Sequence, residues 1–446
     1  MEDKRTKLTM AEKISYGMGD CGANVVIGLG GFLMAYYTDT VGIAAAAIGT
    51  MMLLSRVFDG ATDLIMGGIV DKTKSRYGKA RPWMLWTAPL MLIALVLQFA
   101  VPEGWGDGAK LAYAYLTYIF QNCIVYTANN LPFNALLSRM TLDVQERGST
   151  AAIRFIMTQF TTLIVTAVTT TLIGNGTSWK TMAFLYGLVA MIMSVICFFG
   201  CKEHVGEDVS GILKVENVPI RTALPALMKN KYFFIQALLF LILYIGACVP
   251  GTLGVYFCKD VLGNLSVMTL LSMCSTIPAI IVNFALPVIL RKYGKWKMML
   301  AGTVLMFLGS LLVGIGGSSL PVVMAGMIMK GFGNGPIMSC IFAMTADIVD
   351  YGEWKTGVRS EGLVNCCTSF GMKVGIGLGL AVGSWILAIG GYDGAAAVQS
   401  SGALAAIRFG YGYLGAVIAA ICCVLIFCMN LDKYMKQIQA DLEKKH

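Results

Sequence analysis

Residues 44–70 read AAAAIGTMMLLSRVFDGATDLIMGGIV, an apolar run in which Arg56, Asp59 and Asp63 are the charged residues. A helix of about 20 residues crosses about 30 Å of hydrocarbon, so this run is long enough to span a bilayer. A small soluble core could not bury it, and in lipid the three charges are what need a reason. Comparable runs lie on both sides of it, near 14–38, 83–102, 111–138, 150–173, 180–200, 232–257, 264–290, 298–316, 320–346, 363–390 and 404–429. The reading is an all-α membrane protein of about twelve spans.

Composition agrees. The chain has 446 residues, of which 57% are hydrophobic and 13% charged, against about 25% charged in soluble domains. Disorder, a collagen repeat and a secreted disulfide scaffold are excluded by the same figures. The net charge of +9 points to nucleic acid only if the basic residues form one surface, and they do not. They cluster at Lys4, Arg5, Lys7 and Lys13, at Lys72–Arg81, at Arg291–Lys297 and from Lys433 to Lys445, each flanking an apolar run. That is the positive-inside pattern, and it predicts both termini in the cytoplasm of a cell-membrane protein, with no nucleic-acid partner. The charged N-terminus followed by a full-length span gives no sign of a cleavable signal peptide.

The 13 cysteines fall mostly within apolar runs and include no C-x-x-C spacing, so they read as small hydrophobes. The two histidines, His204 and His446, lie outside the spans. Zinc chemistry and Ser-His-Asp catalysis therefore lack their main ingredient. Gly78-Lys79 has neither the upstream glycine nor the following Ser or Thr of a phosphate loop, which leaves an ion gradient as the energy source.

The long polar stretch 201–231 divides the spans six and six. The expected organisation is an N-terminal half over 1–200, a cytoplasmic middle loop over 201–231, a C-terminal half over 232–430 and a cytoplasmic tail over 431–446. Arg76-Tyr77-Gly78-Lys79 after the second span returns as Lys292-Tyr293-Gly294-Lys295 after the eighth. Parallel six-helix repeats of this kind build the major facilitator fold, with substrate held near the midplane.

Arg56, Asp59 and Asp63 stand at i, i+3 and i+7, on one stripe of the second span. Adjacent carboxylates repel; sharing a proton or binding a small cation relieves the repulsion, and Arg56 could instead neutralise one of them. Further polar groups within spans are Asp20 and Asn24 on the first, Tyr126, Thr127, Asn129 and Asn130 on the fourth, Arg154 on the fifth and Lys373 on the eleventh. Each is costly in hydrocarbon and marks a pathway by default.

The run Arg56–Asp63 with Gly67 and the loop DKTKSRYGKARP (71–82) resembles the glycoside-pentoside-hexuronide:cation symporters, the melibiose permease family. Tyr16–Asp20, Tyr36–Asp39, Asn130–Phe133, Asp350–Glu353 and Gly357–Gly362 extend the resemblance over most of the chain. It implies a twelve-helix transporter coupling sugar entry to a cation. On that resemblance Asp59, Asp63 and Thr127 fall on cation-site positions, and Thr62 stands where melibiose permease has an asparagine, which leaves H⁺ open beside Na⁺. Asn24 and Asn130 replace two aspartates of its sugar pocket, whereas the pocket arginine is kept as Arg154. A guanidinium pairs bidentately with a carboxylate, so this pattern favours a uronide, as in the similar bacterial glucuronide carriers. Neutral β-glycosides or xylosides are the alternative.

The expected substrate site is Asn24, Tyr126, Asn130, Arg154, Lys373 and Asp20, and the expected cation site is Asp59, Asp63, Thr62 and Thr127, with Asp59 and Asp63 as ligands should Na⁺ couple. Asp71, Arg76, Gly78, Lys79 and Arg81 form the expected cytoplasmic gate, latched by charge pairs that break on opening. The expected partners are a glycoside and the lipid bilayer, the chain acting as a monomer with no cofactor beyond the coupling H⁺ or Na⁺. A lipid-modifying enzyme fits poorly without an intramembrane histidine; a channel or scramblase would differ in giving flux without accumulation.

Overall fold

The structure, a computed structural model, describes residues 7–141, 143–204, 225, 227–357, 361–396 and 398–443. Its described elements are helical. They are α1 (Met10–Gly30), continued by a turn at Leu33–Ala35 and a π-helical turn Tyr36–Val41; α2 (Ala45–Lys72); α3 (Arg81–Gln98); α4 (Asp107–Ile119), joined through a π-helical turn Phe120–Val125 to α5 (Tyr126–Met140); α6 (Val144–Gly174); and α7 (Trp179–Gly200). After the polar stretch come α8 (Lys231–Tyr256) with a π-helical turn Phe257–Val261; α9 (Val267–Tyr293); α10 (Lys295–Gly316); α11 (Leu320–Thr356); α12 (Glu361–Ile389); α13 (Ser401–Arg408), joined through Phe409–Tyr413 to α14 (Leu414–Cys428); and α15 (Asp432–Glu443). Among the described residues nine helical stretches are long and apolar enough to cross a membrane. The runs 45–72, 81–98 and 107–140 are not among those nine, and two of the three carry the second- and fourth-span polar residues.

The chain divides into two compact units, Met1–Lys214 with Asp393–Ala397, and Val215–Tyr392 with Val398–His446. The break falls inside the polar stretch 201–231, of which residues 205–224 and 226 lie outside the described residues. In the first unit α1 packs on α6 and α7, α3 on α5 and α7, and α2 on α5. The second unit repeats this scheme: α8 packs on α12 and α14, α10 on α11 and α14, and α9 on α11. The repeat extends to the backbone. Gly78 (φ 105°) and Gly294 (φ 79°), at matching places in the two basic loops, both turn the chain through the positive-φ region that glycine tolerates. The span beginning with α1 and the span beginning with α8 each end in a π-helical turn.

Local chemistry sets the helix ends. Thr9 and Glu12 form a reciprocal capping box at the start of α1, satisfying two otherwise orphaned N–H groups. Small residues set the close crossings. A side chain at Gly28 would strike Val165 on α6, and one at Gly375 on α12 would lie 2.6 Å from the Leu241 carbonyl of α8. These glycines therefore serve packing inside a unit. Residues 431–443 of the tail pack on their own unit: Leu431 and Ile438 are buried in the same apolar cluster as Ile348, Tyr351 and Ile426, and Trp354 Nε1 donates to Asp441 Oδ2 at 3.1 Å.

Candidate functional site

Two clusters of buried polar side chains occupy the first unit. The first centres on Asp59, 6% exposed on α2. Its Oδ2 lies 3.4 Å from Arg56 NH1, one turn earlier, and its Oδ1 accepts a hydrogen bond from the Thr127 hydroxyl at 3.1 Å. Thr127 stands in the first turn of α5, just after the π-helical turn Phe120–Val125. Such a turn inserts an extra residue and shifts the phase of everything after it, which is why these turns recur at functional sites. Cys123, within that turn, donates its thiol to the Ser55 carbonyl at 3.1 Å and ties the same stretch of α4–α5 to α2. Thr62 directs its hydroxyl to the Asp59 carbonyl at 3.0 Å, a backbone contact rather than a contact with either carboxylate. Asp63 is half-buried one turn beyond Asp59.

The second cluster centres on Asp20, 7% exposed on α1. Arg154 of α6 grips it with two donors, Nε to Oδ2 at 2.8 Å and NH2 to Oδ1 at 3.3 Å, and the Thr158 hydroxyl adds a third bond at 2.8 Å. NH1 of Arg154 reaches the Tyr16 hydroxyl at 3.3 Å and Asn134 Oδ1 at 3.2 Å. Its guanidinium carbon stands 4.9 Å over the Phe133 ring, and that ring stacks on Tyr16. The bidentate ion pair with a cation–π face is the arrangement an arginine makes and a lysine cannot. Asn134 Nδ2 donates to the Asn130 carbonyl at 3.0 Å, Asn130 Nδ2 donates to the Tyr126 hydroxyl at 2.9 Å, and Asn24 Nδ2 donates to the Asp20 carbonyl at 2.9 Å.

One helix therefore carries both clusters. Tyr126 belongs to the hydrogen-bonded chain that runs through Asn130 and Asn134 to Arg154 and Asp20, and its neighbour Thr127 bonds Asp59. A change at Asp59 that moves α5 is felt at Asn130 and Asn134. The fork of Arg154 bears on the uronide expectation. With Asn24 and Asn130 in place of acids, Arg154 should be open to a carboxylate on the ligand; instead Asp20, buried and bidentate, already fills it. The sequence names Asp20 but gives no sign that its carboxylate folds back onto a residue of α6.

The expected gate is tied within its own unit. The backbone N–H groups of Lys79, Ala80 and Arg81 all donate to the Glu203 carboxylate, at 3.2, 2.8 and 2.8 Å, and Arg139 NH1 lies 3.9 Å from Glu203 Oε2. These are the orphan donors at the N-terminus of α3, where a carboxylate also meets the positive end of the helix dipole. Arg81 Nε donates to the Phe198 carbonyl at 2.6 Å, and Arg76 NH2 contacts the Tyr77 hydroxyl. The side chain of Asp71 lies outside the described residues. In the second unit, Lys295 of the repeated loop pairs with Asp347 at 2.6 Å. Glu203 escaped the sequence reading because the backbone groups it caps are more than a hundred residues away, with no local capping pattern.

Lys373 is half-buried on α12 of the second unit. The sequence reading also missed Lys330, inside α11. Its Nζ lies 5.8 Å from the Tyr411 ring centroid, and a side chain at Gly415 would meet both that Nζ, at 4.0 Å, and Ser310 Oγ, at 2.9 Å. Ser310 Oγ is buried without a hydrogen-bond partner among the described residues, whereas Thr303, about two turns of α10 away, bonds its own helix carbonyl at Met299. A lysine amid a long apolar run was the available signal.

The model of the family described as MFS/sugar transport protein matches residues 15–433. An isoprimeverose transporter of Lactiplantibacillus pentosus is 33% identical over 98% of this chain and 92% of its own length. A glucuronide carrier protein homolog of Escherichia coli (strain K12) is 31% identical over 97% and 95%, and a putative glycoside/cation symporter, YagG, of the same strain is 30% identical over 90% and 88%. Among solved structures, a bacterial homolog of the human lysosomal transporter Spinster superposes with a TM-score of 0.70 at 12% identity, covering 96% of this chain and 97% of that one. That likeness concerns the fold alone.

Proposed function

The chain belongs to the MFS/sugar transport family, among its glycoside-pentoside-hexuronide:cation symporters, and from that premise we propose that it imports a glycoside by alternating access, coupled to H⁺ or Na⁺ at Asp59 and Asp63. It is a multi-pass membrane transporter of sugars driven by a cation, and not an enzyme. The observation that carries the proposal is the α5 bridge: Thr127 on the Asp59 carboxylate beside Tyr126 on the Asn130–Arg154 chain. Cation or proton binding at Asp59 and Asp63 relieves the repulsion between the two carboxylates and changes what Thr127 must satisfy. Through α5 that change reaches Asn130, Asn134 and Tyr126, whose amides and hydroxyl offer a sugar both donors and acceptors.

Because Asp20 compensates Arg154, the cluster of the first unit offers a ligand mainly neutral amides and hydroxyls, and this favours a neutral glycoside. The uronide reading is kept as the second possibility by the 31% identity to a protein named for glucuronide transport; a substrate carboxylate would then have to displace Asp20 from one arm of the fork. Counterflow and gradient-driven uptake in proteoliposomes test both, using isoprimeverose, p-nitrophenyl β-glucuronide and a galactoside, with Na⁺ and pH gradients imposed in turn. Asp59→Asn and Asp63→Asn should abolish accumulation while leaving counterflow measurable. Undiminished accumulation in both variants would refute the cation assignment, and flux without accumulation by the unaltered protein would refute symport.

A further inference from the structure

At the end of the first unit remote from the 71–81 loop, the last turns of α1, α3 and α6 and the first turns of α4 and α7 enclose a cavity of about 540 Å³. Its floor is aromatic. Tyr36 and Phe99 are buried, and Trp179 stacks on Phe99 with centroids 5.9 Å apart and planes 14° from parallel. The floor is also fixed. Trp179 Nε1 donates to the Thr40 hydroxyl at 3.1 Å, and the Val101 N–H donates to the Tyr36 hydroxyl at 3.1 Å. Gly176, at φ 72°, turns the chain back so that Trp179 reaches this position.

The rim carries charges of both signs. Glu103 and Lys180 are exposed, line the same cavity, and make no ion pair among the described residues. Lys110 gives one ammonium proton to the Val41 carbonyl at 3.3 Å and keeps two for a ligand. Ser178 adds a hydroxyl. A purely anionic or cationic ligand would meet a like charge here. A polyhydroxylated ring would not: its hydroxyls accept from ammonium and donate to carboxylate, and its C–H face packs on the half-buried Trp179 ring, which Phe99 and Tyr36 back. The volume lies in the range of small-molecule sites.

We propose that this cavity is a second glycoside subsite, which holds a sugar at the mouth of the first unit, apart from the Asp20–Arg154 cluster. The proposal rests on the sugar-transport reading for its ligand class, and on cytoplasmic termini for its placement on the outer face.

The test uses full-length protein labelled with 5-fluorotryptophan, the Trp179 resonance being identified by its loss in Trp179→Phe. Titration with isoprimeverose or p-nitrophenyl β-glucuronide should shift that ¹⁹F resonance saturably. The shift should persist in the charge-balanced double variant Asp20→Asn/Arg154→Gln, in which the deep cluster is disabled. Glu103→Gln and Lys180→Gln, exposed positions that do not threaten folding, should raise the apparent KM of counterflow about three- to tenfold at unchanged maximal rate. A Trp179 resonance that stays fixed while the unaltered protein carries either sugar overturns the subsite, as does loss of the shift in the double variant. A protein that shifts the resonance yet transports neither sugar would instead defeat the transport reading and leave the subsite standing.

Discussion

Arg154 and Asp20 form the most consequential pair of side chains in the first unit, since Asp20 is buried and half-buried Arg154 is its main counter-charge. Breaking such a pair by removing one partner costs about 3 to 5 kcal/mol, because the other is left uncompensated. Arg154→Gln alone should therefore lower the thermal unfolding temperature and the yield of folded protein sharply. Adding Asp20→Asn should restore much of the stability, because two neutral groups can hydrogen-bond in place of the pair, while transport stays absent. Thermal unfolding in detergent, followed by size-exclusion fluorescence, reads both outcomes. A double variant as unstable as the single one would show that Arg154 stabilises through its contacts with Tyr16, Phe133 and Asn134. At Lys330, Lys330→Met removes a polar group that buries without a carboxylate partner among the described residues, and the fold should tolerate it with little loss of unfolding temperature. A large loss would reveal a partner that forms only in the folded membrane-embedded protein.

At the scale of elements, two features decide geometry. Glu203 caps α3 with three backbone hydrogen bonds, so Glu203→Ala should cost about 1 to 2 kcal/mol, and Glu203→Gln less, since the amide oxygen still accepts. The measurement is again the unfolding temperature, and equal losses for the two variants would show that charge rather than acceptance matters. The π-helical turn Phe120–Val125 sets the phase of α5. Thr127→Val removes the hydroxyl that this phase sets on Asp59 and leaves the rest of α5 in position. Folded protein with accumulation lost but glycoside counterflow retained is the expected result; intact coupling would show that Thr127 is not needed at Asp59. The location of α2 was legible in its apolar run and the stripe of Arg56, Asp59 and Asp63 in its spacing. The π-helical turn was not, because FQNCIV carries no proline or glycine to announce a break in helical phase. The roles of Glu203 and Asp20 were hidden for a related reason: their partners lie more than sixty residues away, and a helical period reports only neighbours within about two turns.

For the whole molecule, the basic clusters predict that both termini face the cytoplasm, so a green fluorescent protein fused after His446 should fluoresce and an alkaline phosphatase fused there should be inactive. The reverse pattern would invert the outer placement of the Tyr36–Phe99–Trp179 cavity along with the topology. By itself the sequence determined the membrane class, the helical nature of the spans, the two-fold repetition and the residues worth attention, because hydrophobic length, charge bias and repetition are written along the chain and each is enforced by the bilayer locally. The tertiary structure alone decided which of those residues meet. It turned Arg154 from an open anion receptor into half of a compensated pair, turned Thr62 to its own backbone, set Thr127 on Asp59, and gathered Tyr36, Phe99 and Trp179 around one cavity. Those outcomes depend on the phase and crossing of helices far apart in sequence, and packing fixes them only once every helix of a unit is in place.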